Sequence, residues 1–370
     1  MDILKNFYQT TTMLVLCVLL FAISCKQEKR GDFPKIVLTG ETLKNESDIY
    51  SSLFIALVDS TLYMYTMRQM QDTLINVYQI QGDSLLPKYR FLPKGNGPYE
   101  GHVFFTLYDP DSRKLFLFEN SGGLRYGYII DINSEDSIHN TSSWRKIDFS
   151  NLENYRFRHS FANLNDSLLL AVGGAVNDRN ILTIINLNTK EVIPLQFWIE
   201  DGFHSNDLVK QSVYMNNAQI FQNKKRNKFL YVCGVGRYME LFSINNNQIT
   251  GRKIVVNVVP EYHVAADGIS PHYQPTKYRG LRVTFTDDLI YAKRKEYTTD
   301  EQKGFKGYPM YYNDIVDVFD WDGNWVTSYQ LDTPVDVIMI DPLHSNTLYA
   351  LTCILETDET IIKKYILPEP

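Results

Sequence analysis

The sequence predicts an all-β protein: a six-bladed β-propeller with four-stranded antiparallel blades, its last blade closed by an N-terminal strand. Three observations predict it. Long stretches of helical periodicity are hard to find, a strand-and-turn unit recurs six times, and a strand-like segment precedes a first unit while the last unit is one strand short.

Apolar, β-branched and aromatic runs alternate with Asn, Asp, Gly and Ser clusters at intervals of about 8–12 residues, the spacing of short strands and their turns. The 25 tyrosines and 20 phenylalanines suit pleated surfaces better than helices.

The repeat is clearest at the turn between the first two strands of each unit. It reads Val58-Asp-Ser-Thr-Leu62, then Tyr108-Asp-Pro-Asp-Ser-Arg-Lys-Leu115, then Leu164-Asn-Asp-Ser-Leu168. It returns as Gln222-Asn-Lys-Lys-Arg-Asn-Lys-Phe229, Phe285-Thr-Asp-Asp-Leu-Ile290 and Ile340-Asp-Pro-Leu-His-Ser-Asn-Thr-Leu348. With Leu62, Leu115, Leu168, Phe229, Ile290 and Leu348 as anchors, the spacings are 53, 53, 61, 61 and 58 residues. A second turn, between strands three and four, recurs as Gln81-Gly-Asp-Ser, Asn133-Ser-Glu-Asp, Asn188-Thr-Lys-Glu, Asn245-Asn-Asn-Gln and Asp322-Gly-Asn-Trp. These residues tolerate left-handed backbone or bond their own backbone, so they close hairpins. Six such units of four strands make a six-bladed propeller. The last unit offers only three strands, and an open edge invites association. Residues 34–39, Pro-Lys-Ile-Val-Leu-Thr, are expected to supply the missing outermost strand.

The N-terminus carries a different signal. Residues 13–23 form an apolar run of eleven, short of the ~20 that span a bilayer but sufficient for a signal-peptide core. It ends in Phe21-Ala-Ile-Ser-Cys25, a pattern that resembles the lipobox of bacterial lipoproteins. The expected organisation is a signal peptide over 1–24, a lipidated tether over 25–32 beginning at Cys25, and a propeller over 33–370. Two or three acyl chains on Cys25 would hold the chain firmly at a membrane, at ~0.8 kcal/mol per buried CH₂. Loss of 1–24 removes one Lys and one Asp, so the net charge stays at −6. A mildly acidic chain without a basic cluster argues against nucleic acid. Cys233 and Cys353 both fall in apolar runs and are expected as buried free thiols.

The residues resemble the TolB-like six-bladed propeller lipoproteins of Bacteroidetes-type bacteria. The resemblance is carried by Asp314-Ile-Val-Asp-Val-Phe-Asp-Trp-Asp-Gly-Asn-Trp-Val326 with Tyr329-Gln-Leu-Asp332, by Leu289-Ile-Tyr-Ala-Lys293, and by Gly95-Asn-Gly-Pro-Tyr-Glu100. It implies the propeller and export to the cell envelope, and no chemistry; fold alone does not fix function.

Several motifs read as structure. Gly95–Glu100 is followed by a strand, not a helix, so it is a blade-connecting turn and not a phosphate loop. Asp320-Trp-Asp-Gly323 lacks the later oxygen ligands of a calcium loop and reads as a hairpin turn. His263 and His272, nine apart in a long loop, have no Cys or carboxylate at metal spacing, so no metal is expected there. No cofactor and no catalytic residue is assigned. Tripeptides such as Asp59-Ser-Thr61 and Asp166-Ser-Leu168 match an O-glycosylation acceptor signal and are also ordinary turn chemistry.

Propeller geometry puts the connections from strand four to the next strand one, and from strand two to three, on one face. The longest segments there are 199–213, 260–280 and 293–313. Aromatic bodies with polar tips beside cations suit glycan stacking or a protein partner, so Tyr278, Arg279, Arg294 and Tyr297 are the expected ligand-binding residues. The expected function is a cell-envelope binding or scaffold module for a glycan or protein. The alternative is a lactonase-like, metal-dependent hydrolase with its cation in the channel.

Overall fold

The computed structural model describes residues 34–45, 49, 52–66, 72–119, 125–152, 155–175, 178–203, 206–273, 277–298, 313–354 and 359–368. The expected signal peptide, Cys25 and the expected tether lie outside the described residues.

Residues 36–368 form six blades in a ring. Blade 1 is Ser52–Val58, Thr61–Thr66, Thr73–Gln81 and Ser84–Pro93. Blade 2 is Phe104–Asp109, Lys114–Glu119, Tyr126–Asp131 and Arg145–Asp148. Blade 3 is Tyr155–Asn165, Leu168–Ala175, Leu182–Asn186 and Val192–Leu195. Blade 4 is Gln219–Asn223, Lys228–Val232, Arg237–Asn245 and Gln248–Val258. Blade 5 is Lys277–Phe285, Leu289–Thr298, Asn313–Asp320 and Trp325–Val335. Blade 6 is Val337–Ile340, Thr347–Ile354 and Glu359–Ile366. Consecutive strands pair antiparallel within each blade.

The core is six apolar clusters, one at each interface between consecutive blades. Side chains of the second strand alternate between the two neighbours. Leu115 and Leu117 face blade 1, whereas Phe116 and Phe118 face blade 3. A strand buried on both faces reads as a continuous apolar run, which explains Lys114-Leu-Phe-Leu-Phe-Glu119. The anchors Leu62, Leu115, Phe229, Ile290 and Leu348 all occupy the second position of that strand and are fully or almost fully buried. In blade 3 the buried counterpart is Leu169, the second residue of its strand and one residue after the expected Leu168, which begins the strand and is only half buried.

The closure differs in detail from expectation. The last blade is completed by Glu41–Thr42, paired antiparallel with Lys364 and Lys363, and not by residues 34–39. The preceding Ile36–Leu38 pairs parallel with Tyr329–Leu331 at the outer edge of blade 5. Lys44–Asn45 then pairs parallel with Ser84–Leu85 of blade 1. The N-terminal segment is therefore a strap across three blades. Leu38 plugs the cluster between blades 5 and 6, and Leu43 and Ile49 plug the one between blades 6 and 1. The step from one blade to the next occurs at Gly40, where a Cβ would lie 2.6 Å from the ring of Tyr365, and Asp332 accepts the Gly40 N–H at 3.3 Å. That passage under an aromatic ring shifts the pairing by one blade.

Four of the five turns expected between strands three and four are found with their left-handed residues: Gly82, Lys190, Asn246 with Asn247, and Gly323. The fifth, Asn133-Ser-Glu-Asp, opens instead into a short helix α1 (Glu135–His139), because Ser134 caps it by accepting the Ser137 N–H. Gly95–Glu100 is the expected connecting turn: its Gly97 N–H donates to Glu100 Oε2 at 2.8 Å, so the chain's own carboxylate fills the glycine cradle. Asp320 Oδ1 accepts from the N–H groups of Asp322 and Asn324, closing the expected hairpin.

Candidate functional site: the channel and the elaborated face

The first strand of each blade is an edge strand, and its free side faces the axis. Between these edges runs a cavity of about 1970 Å³ lined from all six blades, including residues 53–57, 104–109, 160–163, 219–223, 282–285 and 337–340. Half-buried Phe54, Ile55, Phe105, Leu107, Phe221 and Phe285 make its wall largely apolar.

The mouth formed by the turns between strands one and two is braced by charge. Lys224 of blade 4 reaches Asp109 Oδ1 at 2.7 Å and Asp111 at 3.1 Å, both in blade 2. Asn163 of the intervening blade 3 donates to Asp109 Oδ2 at 2.7 Å, as does Ser112. Burial alone would raise the Asp109 pKa, but these hydrogen bonds outweigh it and hold the carboxyl below its usual range. Lys225 pairs with Asp287 and Arg226 with Asp288, tying blade 4 to blade 5.

The opposite face is elaborated between blades 3 and 5. A helix α2 (Asp207–Met215) is capped by Asn206, whose Oδ1 accepts the Val209 N–H at 2.8 Å. Beside it stands a two-stranded hairpin, Tyr262–Val264 with Pro271–Tyr273. Asp201 joins them to the blade: it accepts from Tyr214 and Tyr262 at 3.0 and 2.8 Å and pairs with Lys210 at 3.0 Å. Burial would raise its pKa, yet Lys210 and the tyrosines keep it low. Asn206 also donates to the Gly268 carbonyl at the hairpin tip. The sequence held both signals: Asn206-Asp207 ahead of an apolar-periodic stretch, and Asp267-Gly268 between two Tyr/His segments.

Of the expected ligand residues, all four lie in the paired first two strands of blade 5. Residues 293–298 are strand, not loop, because Lys277–Gly280 extends the first strand to pair with them; Tyr278 is opposite Tyr297 and Arg279 opposite Glu296. Residues 299–312 and the side chains of Tyr278 and Tyr297 lie outside what is described. Arg294 holds Asp317 in a two-pronged pair at 2.7 and 2.9 Å within its own blade. Arg279 reaches the exposed Glu261 at 3.8 Å, and Arg237 of blade 4 pairs with Glu296 at 3.3 Å. Lys293 and Lys295, in the second of these strands, are buried. Cys233 is a buried free thiol, and burial pushes its pKa up to about 11; the side chain of Cys353 is outside the described set. Among the described residues, no three His, Cys, Asp or Glu side chains gather to hold a metal ion.

No protein-family model matches the chain, and no curated protein matches it. Solved structures do. A member of the DUF4221 family from Bacteroides vulgatus superposes with a TM-score of 0.54 at 11% identity, covering 90% of this chain and 97% of that one. A Bacteroides fragilis protein provisionally named as exported gives 0.49 at 9% identity, covering 91% and 100%. At such identity the likeness to the DUF4221 protein shows the propeller fold alone.

Proposed function

We propose that this protein is a lipid-anchored cell-envelope module, of the TolB-like kind, that binds a glycan or protein partner on the elaborated face. The observation that carries the reading is the build of that face. A capped helix and a hairpin, neither needed to close the ring, are locked onto blades 3 and 4 through Asp201, and beside them Tyr278, Arg279, Arg294 and Tyr297 share one two-stranded extension. Loops and additions on a rigid scaffold are a usual place for recognition. A hydrolase reading has less support: among the described residues no His, Cys, Asp or Glu side chains gather in threes, and the channel carboxylate Asp109 is engaged by Lys224, Asn163 and Ser112, where a cation would need converging oxygens.

The test is a glycan array together with pull-down from envelope extracts, using the wild type and a Tyr278→Ala/Arg279→Ala double variant. Captured ligand that the variant loses supports the face; silence from both assays removes it. Anchoring is tested separately by Cys25→Ser, which should abolish incorporation of labelled fatty acid and release the protein from membranes.

A further inference from the structure

We infer that His263 and His272 form a two-imidazole site for a divalent transition metal ion of the zinc, copper and nickel class. The sequence separates them by nine residues, but the hairpin places them directly opposite one another. Alternation along its two short strands sends Tyr262, Val264 and Tyr273 inward against the apolar cluster between blades 3 and 4. The outward pair is His263 and His272, both exposed. Among the described residues, neither ring has a hydrogen-bond or ion-pair partner in the protein, so their nitrogens are open to a ligand.

The separation of the two rings suits one ion. Their ring centroids are 4.7 Å apart, with planes at 54°. With metal–nitrogen bonds of about 2.0–2.1 Å and each nitrogen about 1.1 Å from its ring centre, two imidazoles on one ion at bond angles of about 90–110° have centroids about 4.5–5.2 Å apart. Imidazole suits zinc, copper and nickel, and water or a partner's donor would fill the remaining positions. The hairpin is also held in place before any ion arrives. Asp267 accepts from the Ile269 and Ser270 N–H groups, Asn206 holds Gly268, and Tyr262 is fixed on Asp201. The ion would therefore meet two ligands already ordered, which lowers the entropic cost of binding.

The experiment is calorimetric titration of the full-length protein in detergent with Ni²⁺, Cu²⁺ and Zn²⁺. One equivalent should bind and be removed by chelator. His263→Ala and His272→Ala should each weaken binding about tenfold or more, since each removes one of two protein ligands, and the double variant should abolish it. His102→Ala, a surface histidine bonded to Asn96, should change nothing. Both hairpin histidines are exposed, so circular dichroism should confirm that the variants fold. Absence of binding, or binding that survives in the double variant, overturns the site. Silence from both capture assays with metal binding intact would remove the face proposed above and leave this site standing.

Discussion

Lys293 is fully buried, and its ammonium donates to the carbonyls of Val335 and Asp336 at 2.5 and 2.9 Å, where the chain crosses from blade 5 to blade 6. Burial pushes its pKa down to about 7; Asp336 pulls it back up and Arg282 drives it further down. Unfolding restores the ordinary value of 10.5, so between about pH 7 and 10.5 the unfolded chain binds more protons than the folded one. Stability from this group must therefore rise with pH across that window, and its burial penalty is largest below it. Compared with Lys293→Met, the wild type should gain in denaturant midpoint as pH rises from 7 to 10. A gap that stays flat would mean that the amine titrates like an exposed lysine. Arg294 behaves differently, because its charge is matched by Asp317, itself bonded to Ser328 at 2.7 Å. Arg294→Ala leaves a mostly buried carboxylate without its fork and should cost about 1–3 kcal/mol in urea unfolding. The Arg279→Ala change should leave stability within about 0.5 kcal/mol, as its partner Glu261 is exposed.

Elements were legible where their signal is local and repeated. The turn between the first two strands takes polar residues followed by an apolar second strand, and six copies of that pattern leave a readable period. The face was less legible, because helix α2 and the hairpin occur once and break the period. The position of His263 opposite His272 depends on a turn at Asp267-Gly268 that only the register reveals. The salt links between blades were not readable at all, since Asp109 and Lys224 are 115 residues apart and meet across blade 3. That link makes its own prediction. Asp109 has its pKa lowered and Lys224 has its raised, so the pair stabilises above the unfolded carboxyl value near pH 4 and loses that contribution as pH falls further. The Lys224→Met variant should unfold more readily than the wild type at pH 7 but approach it on acidification toward about pH 2, followed by fluorescence. A constant difference would show that the loss is one of packing.

At the scale of the whole molecule, the ring closes in two ways, and they can be separated. The inner strands of blades 6 and 1 are neighbours, so the ring is complete at its axis without the N-terminus. At the rim, however, blade 6 owes its fourth strand to Glu41–Thr42, and the two clusters flanking it owe Leu38, Leu43 and Ile49 to the same segment. Deleting residues 33–45 would uncover the edge of Glu359–Ile366 and open both clusters while leaving blades 2 to 4 their own contacts. Loss of the two buried leucines, Leu38 and Leu43, alone corresponds to about 4–10 kcal/mol, enough to reach the whole stability of an ordinary domain. The expected outcome of the deletion is loss of amide-exchange protection in blades 5, 6 and 1, with residual protection in blades 2 to 4, and concentration-dependent association through the exposed edge in sedimentation. Leu43→Ala, which keeps the strap's backbone, should give a milder version: a monomer destabilised by about 2–5 kcal/mol with exchange raised first in blade 6. If the deletion variant stays monomeric and melts with the wild type, the strap is ornamental, and closure rests on the inner strands alone.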